Sequence, residues 1–254
     1  MGTEHFVLFA DILGFSQLAA NNPADMVAQI CNSEFRQTAL VSNLVSNMKS
    51  GNPAGLQFHV QTTPQGALQD IKQDQLSLHI MSDSLIAWTK DSSPESLLIL
   101  SNFAAQFIGT TVILGLPLRG GISKGQVHAV ELPLNGNAVR NVFGSGVVAA
   151  HNFEGGQEWM GCVIDKECLD LFPENVVHDL LTLPRTTLGR YPVPYKERAR
   201  YQSDVVVDWR SCLRETTPDA NYDFFLEQFG RYNKPITAGV ETKVRNTFAF
   251  YSAI

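Results

Sequence analysis

The sequence has few of the residues that would tie it to several large functional classes. Its cysteines are four in 254 residues: Cys31, Cys162, Cys168 and Cys212. No two form a CxxC pair, so their spacing fits no zinc site and no disulfide scaffold. Charged residues make up 17% of the chain, below the usual level of about 25%, which excludes a coiled coil with charges throughout its flanking positions. Lys and Arg total 19 against 25 Asp and Glu, a net charge of −6. An acidic chain is a poor partner for duplex nucleic acid or an anionic membrane. No apolar run reaches about 18 residues, so no membrane span is expected. The opening MGTEHFVLFADILGF lacks a basic stretch and carries Glu4 and Asp11, so it does not read as a signal peptide. There is no GxxxxGK[ST] loop, and Gly144-Ser145-Gly146 is an incomplete dinucleotide pattern. Together these absences predict a cytoplasmic protein with reduced thiols and with neither nucleic acid nor membrane as partner.

What is present suits one sizeable core. Hydrophobic residues are 44% of the chain, and a chain of this length buries about 70–75% of its unfolded surface. Residues 5–11 (HFVLFAD) form a short apolar run ending in an acid, which predicts a buried strand. Residues 22–48 have helical spacing, and 56–61 suit a strand. Residues 76–81 and 84–88 predict a hairpin with Ser82-Asp83 at its tip. Ser93-Pro94-Glu95 opens a long apolar helix. Residues 117–125 and 126–131 read as a strand pair, 144–154 as a helix, 161–165 as a strand and 166–172 as a short helix. The segment 184–204 holds prolines and Arg185, Arg190, Lys196, Arg198 and Arg200, and reads as a basic loop or insertion. Residues 204–209 and 247–251 suit late strands, with a helix near 222–232 between them. The order predicts a single α+β domain with a mostly antiparallel sheet.

Two acids stand out. Asp11 ends one apolar strand and Asp83 interrupts another. A carboxylate at the end of a buried strand costs desolvation unless it has a partner. Either each acid caps a helix or meets a lysine, or the two share divalent cations, which suit hard oxygen donors.

The surroundings of these acids carry a resemblance. Phe9-Ala10-Asp11-Ile12-Leu13-Gly14-Phe15-Ser16 resembles the FxDIxGFT/S signature of class III nucleotide cyclases. Met81-Ser82-Asp83-Ser84-Leu85 stands where that family has its second metal hairpin, usually written GD. Residues 118–127 (LRGGISKGQV) are similar to the RxGIxxGxV strand pair, and 143–154 (FGSGVVAAHNFE) to the helix WGxxVNxAxRxE. The matches fall in family order over about residues 5–165. The resemblance implies a ferredoxin-like βαββαβ core and a head-to-tail homodimer with active sites at the interface. It also implies two Mg²⁺ or Mn²⁺ ions per site, held by Asp11, the Ile12 carbonyl and Asp83. The ribose 3′-hydroxyl of a nucleoside triphosphate would attack the α-phosphate, with Gly14, Phe15 and Ser16 holding phosphate oxygens.

The departures from the family pattern are specific. His79 replaces the Lys or Glu that purine cyclases carry four residues before the second metal acid. Asn141 stands where they have Asp or Cys. Val148 and Asn152 fall where the family has its helix Asn and its transition-state Arg. Arg119, Lys124, Arg140 and the basic loop are the candidate replacement cations. Arg119 is either catalytic or a structural strand residue. Lys243 lies in the late region where the family places a phosphate-binding lysine. The chain is most similar to the short pyrimidine cyclases of the bacterial Pycsar anti-phage system. That implies conversion of UTP, or less favoured CTP, to cyclic UMP or cyclic CMP, which activates a separate effector. An adenylate or guanylate cyclase with atypical base contacts and a non-catalytic nucleotide sensor are the alternatives.

Overall fold

The computed structural model describes residues 3–49, 76–134, 137–183, 186–197 and 203–253. The expected strand at 56–61 lies outside them, as do Arg185, Arg198 and Arg200. The chain opens with β1 (His5–Ile12), followed by α1 (Phe15–Asn21), α2 (Ala24–Gln29), a six-residue π-helical segment (Ile30–Phe35) and α3 (Arg36–Lys49). Strands β2 (Leu76–Met81) and β3 (Ser84–Thr89) form the hairpin, and α4 (Pro94–Ile113) leads to β4 (Leu118–Gly125). Strands β5 (His128–Leu134) and β6 (Asn137–Phe143) precede α5 (Ser145–Gly155) and β7 (Gly161–Ile164). The remainder is α6 (Lys166–Leu169), α7 (Glu174–Thr182), β8 (Leu188–Arg190), β9 (Val205–Val207), α8 (Arg210–Thr216), α9 (Tyr222–Gly230) and α10 (Ala238–Ser252).

Seven strands make one sheet in the order β2-β3-β1-β4-β7-β9-β8. Within it, β2-β3-β1-β4 is the order of a ferredoxin-like split βαβ unit. Among the described residues only β4 and β7 pair in parallel. The expected α+β architecture, a mostly antiparallel sheet with helices packed on it, is therefore present.

The strand β1 is central and buried on both faces, so its sequence is nearly continuous in apolar residues rather than alternating. Phe6, Leu8, Ala10 and Ile12 enter the main core with α4. Val7 packs with Ile86, Trp88 and Ala150 beneath α5, with Phe9 beside them. Side chains alternate along a strand, so Asp11 shares the α5 face with Val7 and Phe9. The helix α4 starts as its sequence predicts: the Ser93 side chain accepts from Ser96 N–H, and Pro94 and Glu95 occupy the first turn.

Several expectations are corrected. Residues 128–134 do not pair with β4, whose edges are taken by β1 and β7; they pair with β6 in a separate two-stranded ribbon. Residues 247–251 are helical, not a strand. Thr237 caps α10 by accepting from Val240 N–H, and Val244, Thr247 and Phe250 face the core at helical spacing. Phe250 is ringed by Trp159, Tyr191 and Trp209 at centroid distances of 4.9, 4.8 and 5.5 Å. This packing overrides the strand preference of the aromatic residues. The segment 184–204 is not all loop: β8 joins the sheet edge through β9. The expectation that no segment is apolar enough to span a membrane fails for α4. That helix is long and apolar enough by length and composition, and most of it is buried in the core of the fold.

Candidate functional site

The two acids meet at one end of the central strands. Met81 pairs with Ser84, so Ser82 and Asp83 form a two-residue turn. Ser82 adopts a left-handed φ of 52°, the conformation that favours glycine at such hairpin turns. Ile12 N–H donates to the Asp83 carbonyl at 3.1 Å and ties the turn to the end of β1. The Asp83 carboxyl thereby comes within hydrogen-bond reach of the Asp11 carboxyl. Both residues are half-buried.

Asp11 has two lateral neighbours in register, Ser84 on β3 and Arg119 on β4. Ser84 Oγ donates to Asp11 Oδ1 at 2.9 Å. The Asp11 carboxyl is nevertheless pushed up to about 7. Burial is the main cause, and the nearby charges of Asp83 and Glu154 add to it against the pull of the Ser84 bond. An acid in this state lacks a neutralising cation. Two carboxylates beside main-chain oxygens are a hard-donor set that fits Mg²⁺ or Mn²⁺. Among the described residues no cluster of three or more His, Cys, Asp or Glu joins them. Ile12 would have to contribute through its carbonyl.

Arg119 turns away from this pair. Its Nε donates to Glu154 Oε1 at 2.5 Å and its Nη1 to the Gln157 carbonyl at 3.0 Å. Both side chains are largely buried, at 13% and 4% exposure. Glu154 reaches this position because α5 packs directly on the β4 backbone. A Cβ on Gly121 would stand 2.5 Å from the Ala150 carbonyl oxygen and 2.8 Å from Glu154 N.

The other expected residues fall in three places. Gly14 caps α1 with a left-handed φ of 78°, next to exposed Ser16 and half-buried Phe15. His79 is buried on β2 opposite Ile86, one two-residue step from the Asp11 row on the same face. Asn141 on β6 and Asn152 on α5 are exposed. Lys243 Nζ donates to the Gly239 carbonyl within its own helix. It belongs with Arg119 and Lys196, whose mutual repulsion adds to burial in lowering the Lys196 ammonium; Glu154 and Glu158 oppose that effect. Lys196 Nζ donates to the Gly155 carbonyl at 2.8 Å.

Of the remaining candidate cations, Lys124 lies 3.8 Å from Glu4 and Arg140 stacks over Trp88 at 5.3 Å. Arg190 pairs with Asp204 on the surface.

Lys234 is a site neighbour that sequence reasoning missed. Its side chain passes within 3.3 Å of a Cβ built on Gly14, and its Nζ donates to the Gly115 carbonyl at 2.8 Å. It is 5% exposed, and burial alone lowers its ammonium to about 8. Adjacent Tyr232 and Asn233 both have left-handed φ, 60° and 57°. Nothing in the local sequence marks this lysine as different from a surface one.

No family model and no curated protein matches the chain. Solved structures do. The guanylyl cyclase Cya2 matches over 82% of this chain and 93% of that one, at 12% identity and a TM-score of 0.44. The adenylyl cyclase CyaB from P. aeruginosa matches over 81% and 93%, at 15% identity and 0.46. The guanylate cyclase domain of RhGC from Catenaria anguillulae, in complex with GTP, matches over 80% and 94%, at 12% identity and 0.47. At identities this low, side-chain chemistry must be argued from this chain's own residues.

Proposed function

We propose that the protein is a nucleotide cyclase that forms a 3′,5′-cyclic nucleotide and diphosphate from a nucleoside triphosphate, with UTP as the favoured substrate. The observation that carries this reading is the meeting of Asp11 and Asp83. Two half-buried carboxylates stand together, Asp11 lacks a cation among the described residues, and both lie inside sequence motifs that resemble those of class III cyclases.

Asp11, Asp83 and the Ile12 carbonyl would hold two Mg²⁺ or Mn²⁺ ions. Such ions neutralise triphosphate charge and lower the pKa of the attacking 3′-hydroxyl. Ser84 holds one oxygen of Asp11 in place. The exposed turn at Gly14 and Ser16 offers main-chain N–H groups beside the acids. His79 and Asn141 replace the residues with which purine cyclases read their base, which supports a pyrimidine. Exposed Val130, Leu132, Phe143 and Val148 lie on the β5–β6 ribbon and α5. They support a homodimer in which Asn152 and Lys243 act at the partner's site. The product would act on a separate effector in anti-phage defence, as the sequence resemblance implies.

The test is incubation of the protein with each of ATP, GTP, UTP and CTP and Mn²⁺. Cyclic UMP as main product, absent with Asp11→Asn or Asp83→Asn, is expected. Cyclic AMP or cyclic GMP would refute the pyrimidine reading, and no product from any triphosphate would refute the cyclase reading.

A further inference from the structure

We propose that Glu154 is a positioning residue that holds Arg119 off Asp11 and so keeps the carboxylate pair open to a cation. The proposal rests on the reading of Asp11 and Asp83 as metal-binding acids, and deepens it.

The argument starts from register. Asp11 and Arg119 are direct partners across the antiparallel β1–β4 pair. Side chains at such positions share a face, with Cβ atoms about 4.5–5.5 Å apart. A guanidinium there is the natural partner of a buried carboxylate, and a bidentate pair would occupy both of its oxygens. On the opposite side, Ser84 stands in the same relation to Asp11 and does bond to it, at 2.9 Å. Arg119 does not follow suit. Its Nε is bound by Glu154 and its Nη1 by the Gln157 carbonyl.

The restraint on Arg119 is built into the fold. Glu154 is 4% exposed, so its charge needs a buried partner. It is the last buried residue of α5, and the contact of that helix with bare β4 backbone at Gly121 fixes where its carboxylate can reach. Gln157 is buried as well. Its Nε2 donates to the Gly120 and Phe153 carbonyls and its Oε1 accepts from Trp159, so the turn that presents its main-chain oxygen to Arg119 is held from three sides. Arg119 is thus captured by the helix above it, and the charged groups left facing Asp11 among the described residues are the acids Asp83 and Glu154.

The experiment is Mn²⁺ binding to the protein without nucleotide, followed by the electron paramagnetic resonance signal of free Mn²⁺. Wild type and Asp11→Asn calibrate it: binding by the first and not the second is the premise, and its failure would count against the metal reading itself. Given that premise, Glu154→Gln should weaken Mn²⁺ binding by about 10-fold or more, the scale of residues that orient metal ligands. Arg119→Gln alone should change it less than about 3-fold, because the guanidinium is already held away. The double variant should return to near wild type, so the cycle is non-additive. Additive effects would overturn the proposal, since they mean that the two charges act only at a distance. So would unchanged binding in Glu154→Gln. If that variant does not fold, Glu154→Asp decides, made once in the wild-type chain and once together with Arg119→Gln. Weaker binding with the arginine kept and none of that loss with it replaced is expected, and equal loss in both refutes the idea.

Discussion

Lys234→Met measures what a buried cation without a carboxylate costs this fold. Among the described residues the Lys234 ammonium donates to the Gly115 carbonyl alone, and burial lowers it from 10.5 to about 8. The unfolded chain therefore binds the proton more tightly than the folded one, and stability rises with pH between these values. Below pH 8 the cost is fully present. Each tenfold change in a proton equilibrium is worth about 1.4 kcal/mol, so the charge costs roughly 3 kcal/mol at pH 7. Methionine has a similar length and removes that cost, but leaves the Gly115 oxygen without a donor, a loss of about 1–2 kcal/mol. The variant should be more stable than wild type by about 1–2 kcal/mol at pH 7, a rise of roughly 3–6 °C in melting temperature for a chain of this size. At pH 10 the folded lysine is neutral and the charge cost falls below about 1 kcal/mol, so methionine should become neutral or destabilising. Thermal melts of both proteins at pH 7, 8.5 and 10 follow the crossover. A stability difference that does not change with pH would refute the reasoning.

Two further variants test the frame of the site. Gly121→Ala pushes a methyl into the α5 backbone and should destabilise by about 1–3 kcal/mol; a variant that melts within a degree of wild type would mean that α5 yields freely. Ser82→Gly relieves a left-handed φ that costs about 1–2 kcal/mol, against a loss of about 0.5–1 kcal/mol from added chain entropy, so urea unfolding should show a gain below about 1.5 kcal/mol, and a loss would contradict the strain.

The parts legible in the sequence are those fixed by local rules. The β2–β3 hairpin follows from two apolar runs around Ser82-Asp83, and α4 from its serine cap and proline. The approach of Asp83 to Asp11 follows once both are seen to end strands that pair. Arg119 illustrates the limit. Its residue type and strand were readable, but not the register that sets it opposite Asp11, nor the helix contact that hands it to Glu154. Those depend on strands more than a hundred residues apart. Helix α10 departs from its local signal: aromatic residues favour strands in isolation, while here Trp159, Tyr191 and Trp209 surround Phe250. Adjacency in sequence points residues 128–134 to β4, but both edges of that strand are taken by β1 and β7.

Residues 231–234 also bear on the order in which the molecule is made. Arg231 donates to the Ile113 carbonyl and Lys234 to that of Gly115, at the end of α4. Tyr232 donates to Glu34, and its carbonyl accepts from Asn22. Asn233 exchanges bonds with Asn21 and Asn22. These contacts join segments 118 to 212 residues apart, the kind of closure that forms late in folding. A ribosome has already delivered β1, the hairpin and both acids long before this clasp exists. The turn at Gly14 therefore gains its backing only once residues 231–234 have emerged, so the end of the sheet that carries the acids is completed by contacts made late.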